Sequence, residues 1–138
     1  MNTRPKSSCL LLVFLMLPSL TSAQDATSVE HWFYMVKTEP SDPARDTEFN
    51  TWYDDIDIPD VLEVPSFKRA RRAVTVEASG FPSIQAKEGD GNYVALYDIE
   101  TTNIDTSIID LYVAARKMSA LGRLTDALRV VEANYYRR

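Results

Sequence analysis

Apolar and polar residues follow a strand-like pattern in four segments of the chain. Segments 31–37, 67–77 and 93–100 are rich in aromatic and β-branched residues, which favour β-strands. The last segment, 127–136, fits two patterns, because its residues alternate as in a strand while its apolar residues also recur at helical spacing. The order of the other elements therefore decides whether this segment is predicted to be a strand or a helix.

A first amphipathic helix is predicted after residue 42. Asp42 and Pro43 suit the cap and the first position of a helix. An apolar face follows at helical spacing and consists of Phe49, Trp52, Tyr53 and Ile56. Pro59 should interrupt this helix, since proline has no N–H and disfavours helical geometry at the preceding residue.

A second helix is predicted to begin at residues 105–107, with Asp105 as its cap, and to stop at Gly122. Its core positions are predicted to be Ile108, Leu111, Tyr112 and Ala115. Residues 79–92 hold three of the four glycines and form a long connection between the second and third strands.

The element order β-α-β-β-α plus a final segment indicates the α+β class. It is the order of the ferredoxin-like split βαβ fold, with a four-stranded antiparallel sheet and two helices. A fourth strand at 127–136 would complete that sheet. Residues 31–138 are predicted to form this single domain, after a flexible lead-in at 24–30.

Residues 1–23 have the features of a signal peptide. Arg4 and Lys6 precede an apolar run at 10–17, and small residues lead to Ala23. An uncleaved membrane anchor is the alternative, but the run is shorter than the roughly 20 residues that span a bilayer. We therefore expect cleavage after Ala23 and a secreted or periplasmic protein that does not associate with membranes.

Charge and cysteine content narrow the possible partners. The chain has 15 Lys and Arg against 20 Asp and Glu, and two basic residues lie in the leader, so the mature net charge is about −7. Such an acidic domain is not expected to bind nucleic acid or anionic membranes. Cys9, the only cysteine, also lies in the leader, and a small domain without disulfides gains stability by oligomerisation.

Segment 48–72 carries a specific order of aromatic, proline and basic residues. The order runs Phe49, Trp52-Tyr53, Ile58-Pro59, Val64-Pro65 and Ala70-x-Arg72. It resembles the EthD-like branch of the dimeric α+β barrel proteins, and residues 93–100 add to the resemblance. Where that branch commonly has His-Ile-Pro and Val-Pro-Gly-Phe, this chain has Asp57 in place of the histidine and Ser66 in place of the glycine.

The resemblance implies a homodimer in which two sheets come together as a barrel. It also implies a cofactor-free enzyme, of lyase or isomerase type, for a small hydrophobic or aromatic molecule. The alternative is a non-catalytic dimeric module that binds a small ligand or acts as a scaffold, and loss of the histidine favours it. A closed, apolar cavity with Asp57 on its wall would distinguish the two, whereas a solid core there would favour the scaffold.

The sequence contains no metal, nucleotide or nucleophile motif. His31 is the only histidine and has no second histidine or cysteine to share a metal with. No glycine-rich phosphate loop or nucleophile elbow is present. The sequence therefore predicts neither a metal site nor a cofactor.

Five residues are candidates for the site. Asp57 takes the position of the family's cleft-facing histidine, so it is the candidate proton-transfer residue, although it could simply cap the turn after Pro59. Arg72 shares a strand face with the small Ala70, so it could point into a pocket and pair with Asp57, Asp60 or an anionic substrate. The remaining candidates are aromatic residues that could line the pocket: Trp52, Tyr53 and Tyr97.

The leader generates the first prediction. The exported product should begin at Gln24, because cleavage follows the small residues that end at Ala23. The intact mass of that product checks this, and a mass that includes residues 1–23 would contradict it.

Overall fold

The computed structural model describes residues 28–76 and 91–138. The predicted leader, its cleavage site, residues 24–27 of the lead-in and most of the 79–92 connection lie outside these residues. Strands β1 (Glu30–Pro40), β2 (Phe67–Val74), β3 (Tyr93–Thr101) and β4 (Leu128–Arg137) form one antiparallel sheet in the order β2-β3-β1-β4. With a helical segment after β1 and another after β3, this confirms the predicted α+β, ferredoxin-like split βαβ fold.

The ambiguous last segment is strand β4. It pairs antiparallel with β1, and the register places Tyr135 opposite Tyr34 and Ala133 opposite Val36. An irregularity between Lys37 and Thr38 shifts the register by one residue. A helix here would leave the outer backbone groups of β1 without partners, so the strand satisfies more hydrogen bonds.

The first helical segment runs without a break over residues 43–62. It consists of a 3₁₀ turn (Pro43–Arg45), helix α1 (Asp46–Trp52), a π-helical turn (Tyr53–Asp57) and helix α2 (Ile58–Leu62). Asp42 caps it as predicted, since its Oδ1 accepts a hydrogen bond from the Ala44 N–H at 2.9 Å.

Two predictions for the end of this segment are wrong. Pro59 does not interrupt the helix, because the preceding turn widens and the Ile58 N–H bonds to the Tyr53 carbonyl five residues earlier. Asp57 also makes no capping hydrogen bond to α2. A continuous helix has no free amino end at this point for a carboxylate to cap.

Helix α3 (Ile104–Ala120) starts and ends at well-defined residues. Its cap is Asn103 rather than Asp105, since Asn103 Oδ1 accepts from the Thr106 N–H at 3.1 Å. Gly122 follows its end with a φ of 66°, which glycine adopts without strain. The predicted stop is therefore confirmed and the predicted cap is shifted by two residues.

The buried face of α3 also differs from the prediction. Tyr112 is 69% exposed, and Ala115 is exposed as well. The inward positions are instead Ser107, Leu111, Ala114 and Met118. Only Leu111 belongs to both sets, so the helix is rotated relative to the predicted face.

The two faces of the sheet differ in what covers them. The helices cover one face, where Phe49, Tyr97 and Ile99 are almost fully buried. The opposite face presents Phe33 and Leu96, and no helix of the described residues lies over it. None of the helices in the described part of the chain combines the length and apolar character that crossing a bilayer requires.

The uncovered face generates the second prediction, a homodimer that joins two such faces. Leu96→Lys should produce monomers, because it places a further charge on the uncovered face, between Met35 and Arg71, without touching the helix-covered core. Sedimentation equilibrium at micromolar concentration is the measurement. Val113→Lys, at an exposed position of α3, is the control that should remain dimeric, and a monomeric wild-type protein would refute the prediction.

Candidate active site

A cavity of about 320 Å³ lies between the helices and the helix-covered face of the sheet. Its volume falls at the lower end of the range for small-molecule sites. Aromatic and aliphatic side chains dominate its wall. The lining residues are Tyr34, Val36, Trp52, Tyr53, Asp57, Val61, Tyr97, Leu111, Tyr112, Ala114, Ala115, Met118, Leu124, Leu128, Val130, Ala133 and Tyr135.

The cavity has an open side, formed by residues that both line it and face solvent. Tyr112, Leu124 and Val130 are each more than half exposed. Tyr97 and Tyr53, on the opposite side, are only 2% and 3% exposed. A ligand would therefore enter past Tyr112 and reach a dry end near Tyr97.

Asp57 lies on the wall of this cavity at the end of the π turn. The Tyr97 hydroxyl donates a hydrogen bond to Asp57 Oδ2 at 2.7 Å. Burial raises the pKa of Asp57 above its ordinary value, and the nearby Asp60 adds to this rise, while the Tyr97 hydrogen bond and the Arg72 charge oppose it. Asp57 is thus a carboxyl group held by a neutral donor rather than by an ion pair.

Three tyrosines from neighbouring strands form a row across the sheet wall. The Tyr34 ring stacks on Tyr135 at 4.4 Å between centroids and on Tyr97 at 6.0 Å. Burial raises the pKa of all three phenols, and the charge of Asp57 adds to the rise for Tyr34 and Tyr97. Each therefore remains protonated near neutral pH, and Tyr34 and Tyr135 can donate a hydrogen bond to a ligand, whereas the Tyr97 hydroxyl already donates to Asp57.

Trp52 and Tyr53 lie where α1 passes into the π turn. Trp52 lines the cavity and is held by its Nε1–H, which donates to the Arg123 carbonyl at 2.7 Å. Burial, followed by the charge of Asp57, raises the pKa of Tyr53. The structure therefore brings four sequence candidates, namely Trp52, Tyr53, Asp57 and Tyr97, to one cavity.

The fifth candidate, Arg72, is not among the lining residues. Its Nη1 donates to Asp54 Oδ1 at 2.8 Å and its Nη2 donates to Asn50 Oδ1 at 2.6 Å. Its guanidinium lies 4.4 Å from the centre of the Tyr53 ring. The expected pairing with Asp57 or Asp60 is therefore wrong, and Arg72 supports the cavity wall from behind Tyr53.

Asp60 has a different partner from the one expected. Arg123 holds both oxygens of Asp60, with Nη2 to Oδ1 at 2.7 Å and Nε to Oδ2 at 2.8 Å. The bidentate pair joins α2 to the residues that follow α3 and keeps both charges outside the cavity lining.

Sequence reasoning missed Tyr34, Tyr112 and Tyr135 as site residues. Tyr34 and Tyr135 could have been found once β4 was taken as a strand, because Tyr34 then has Tyr97 on one side and Tyr135 on the other. Tyr112 was placed in the core, and only the observed rotation of α3 puts it at the cavity mouth.

The described residues contain no group of three or more His, Cys, Asp or Glu side chains that could hold a metal ion. His31 lies on β1 with its Nδ1 at 3.9 Å from Glu100 Oε1, and both side chains are about half exposed. This pair is on the sheet surface and does not line the cavity.

No family model and no curated protein matches the chain by sequence. Among solved structures, HapK from Hahella chejuensis aligns with a TM-score of 0.52 and 19% identity, over 78% of this chain and 91% of that one. The chain therefore shares the α+β, ferredoxin-like fold of that structure. At such identity the likeness concerns the fold, so the roles of the site residues depend on the geometry given above.

Two further solved structures have lower scores. An EthD family protein from Bacillus halodurans aligns with a TM-score of 0.46 and 11% identity, over 76% of this chain and 96% of that one. A dimeric ferredoxin-like protein of unknown function from Thermobifida fusca aligns with a TM-score of 0.46 and 9% identity, over 79% and 92%. Both alignments describe a likeness of fold.

The pKa of Asp57 generates the third prediction. Because the folded state raises this pKa above the ordinary value of 3.8, the wild-type protein loses stability as pH rises from that value through the raised pKa. Asp57→Asn removes this loss, so its free energy of unfolding should exceed that of the wild type at about pH 7 and match it at about pH 3.

Urea denaturation of both proteins across this pH range is the measurement. Asp55→Asn is the matched control, since Asp55 lies two residues away and is exposed. It should show no such pH-dependent difference. An Asp57→Asn variant that is less stable than the wild type at about pH 7 would contradict the prediction.

Proposed function

We propose that the protein is an exported, cofactor-free enzyme that transforms a small, mostly hydrophobic or aromatic molecule by acid–base chemistry. The reaction class is that of a lyase or isomerase. The observation that carries the proposal is the contact between the Tyr97 hydroxyl and Asp57 on the wall of an otherwise apolar cavity. A carboxyl group without a countercharge is costly to bury, and proton transfer is a use for it.

Asp57 is the group that moves the proton. In its ionised form, a carboxylate oxygen takes a proton from a substrate carbon next to a carbonyl group; the C–H pair becomes a carbon–carbon double bond and the carbonyl π pair moves onto the oxygen. As the oxygen pair re-forms the carbonyl, the double-bond pair of the resulting enolate either takes the proton from the Asp57 acid at a different carbon, in an isomerisation, or breaks the bond to a leaving group that takes the proton, in an elimination. Its raised pKa suits both steps, because the acid and base forms become closer in free energy near neutral pH.

Tyrosine hydroxyls supply the stabilisation that this chemistry needs. Tyr34 and Tyr135 line the cavity as protonated phenols and are the donors available to an oxygen that gains negative charge. Tyr97 orients the Asp57 carboxylate by donating to one of its oxygens. Trp52 and Tyr53 shape the apolar wall that holds the substrate body.

Arg72 has a positioning role in this proposal instead of the substrate contact expected from the sequence. Its guanidinium group already donates hydrogen bonds to Asp54 and Asn50, so it is poorly placed to bind an anionic substrate. It packs behind Tyr53, and its charge opposes the rise in the pKa of Asp57. Arg72 therefore tunes the base from a distance.

A non-catalytic dimeric module is the alternative. The presence of aspartate where relatives carry histidine favours a protein that binds without turnover. A pure scaffold is disfavoured, because the cavity with Asp57 on its wall, although open on one side rather than closed, lies where a scaffold would have a solid core. A turnover measurement then distinguishes a module that only binds a ligand from an enzyme.

The fourth prediction concerns turnover. After a thermal-shift screen of small aromatic ketones and phenols, Asp57→Asn should lower the rate on any substrate found by a factor of about 100 to 10,000, because an amide cannot accept the proton. Tyr97→Phe should reduce the rate less, since it removes only the orienting hydroxyl. Steady-state kinetics on the purified variants is the measurement.

Asp55→Asn is again the control and should retain the wild-type rate, because this exposed carboxylate does not line the cavity. Equal turnover by wild type and Asp57→Asn would remove Asp57 from the mechanism. Ligands that bind but are never converted would favour the binding module instead.

A further inference from the structure

The charges around the cavity are unevenly distributed. Asp57 is a carboxyl group on its wall, whereas no lysine, arginine or histidine of the described residues lines it. The remaining polar groups on the wall are neutral phenols and the indole of Trp52. A ligand therefore meets one acidic group and no cationic one.

The nearest cationic side chains are committed to other carboxylates. Arg72 is bound to Asp54 and Asn50 on the far side of Tyr53, and Arg123 is bound through two hydrogen bonds to Asp60. Neither can turn into the cavity without breaking a charge-assisted pair. Arg72 acts on Asp57 only from a distance, so the carboxylate has no ion-pair partner among the residues that line the cavity.

Aromatic rings make up a large part of the wall. Six lining residues are aromatic: Tyr34, Trp52, Tyr53, Tyr97, Tyr112 and Tyr135. The faces of such rings attract cations, and rings combined with a carboxylate are a general means of holding an organic ammonium group. An anionic ligand would instead meet repulsion from Asp57 in a site where burial weakens screening by water.

We propose that this cavity binds a small organic cation, an aromatic ammonium ion, with Asp57 as its countercharge and the tyrosine rings around it, and that it rejects carboxylates. The inference rests on the proposed function in that it takes the same cavity as the ligand site, and it adds the charge of the substrate. It also replaces the expectation that Arg72 receives a carboxylate.

Three probes that share a phenyl ring and differ in charge provide the test: benzylammonium, benzyl alcohol and benzoate. Isothermal titration of the full protein near neutral pH should give an affinity for benzylammonium roughly tenfold higher than for benzyl alcohol. Benzoate should bind at least roughly tenfold more weakly than the alcohol. In Asp57→Asn the cation and the alcohol should bind within about threefold of each other, because the countercharge is gone.

Two variants test whether the charge preference comes from Asp57 and whether the probes bind in this cavity. Asp55→Asn, which removes a carboxylate outside the cavity, should keep the wild-type preference. Ala133→Phe, which adds a ring at a lining position of β4, should weaken all three probes. Equal or tighter binding of benzoate, a preference that survives in Asp57→Asn, or no binding by any probe at millimolar concentration would each overturn the proposal.

The outcomes of this binding test can be distinguished from those of the turnover test. Charge preference without turnover of any ligand would sustain the cation site and defeat the enzyme. Turnover of neutral molecules that depends on Asp57, without preference for the ammonium probe, would sustain the enzyme and defeat the cation site.

Discussion

Proline in the middle of a helix is the constraint on which the site depends. Pro59 has no N–H for the carbonyl four residues earlier, and its ring would crowd that carbonyl in a regular α-helix. The turn before it widens instead, with the Ile58 N–H bonded to the Tyr53 carbonyl. The chain therefore stays helical through residue 62 and continues in the same direction along the sheet.

The wide turn also decides which side chains face inward. At the regular spacing, the face that begins at Phe49 and Trp52 would continue to Ile56 and Asp60. The extra residue in the π turn advances that face by one position, so Asp57 lines the cavity and Asp60 pairs with Arg123 outside its lining. A turn of this kind is common at functional sites for the same reason, because it reorients a single side chain at little cost to the helix.

The fold was predictable because its signals are local and periodic. The strand patterns, the cap at Asp42 and the stop at Gly122 each depend on a few neighbouring residues, and the element order then assigned β4.

Tyr53 and Tyr97 could be chosen as wall residues since apolar faces can be counted along a helix or strand. The partners of Arg72 and Asp60 could not be predicted, because several carboxylates lay within a few positions of one another and only the π turn selects among them. The rotation of α3, which exposes Tyr112, likewise depends on packing between elements distant in sequence.

The two walls of the cavity come from different parts of the chain, and this has an evolutionary consequence. The groups assigned to the proposed chemistry belong to the π turn and to a stacked row of tyrosines that crosses three strands, so a change there disturbs several neighbours at once. The facing wall comes from α3, where small residues such as Ala114 and Ala115 leave room for larger ones. Descendants of this protein could therefore acquire new ligand preferences through substitutions on one helix, while the π turn and the tyrosine row are inherited intact.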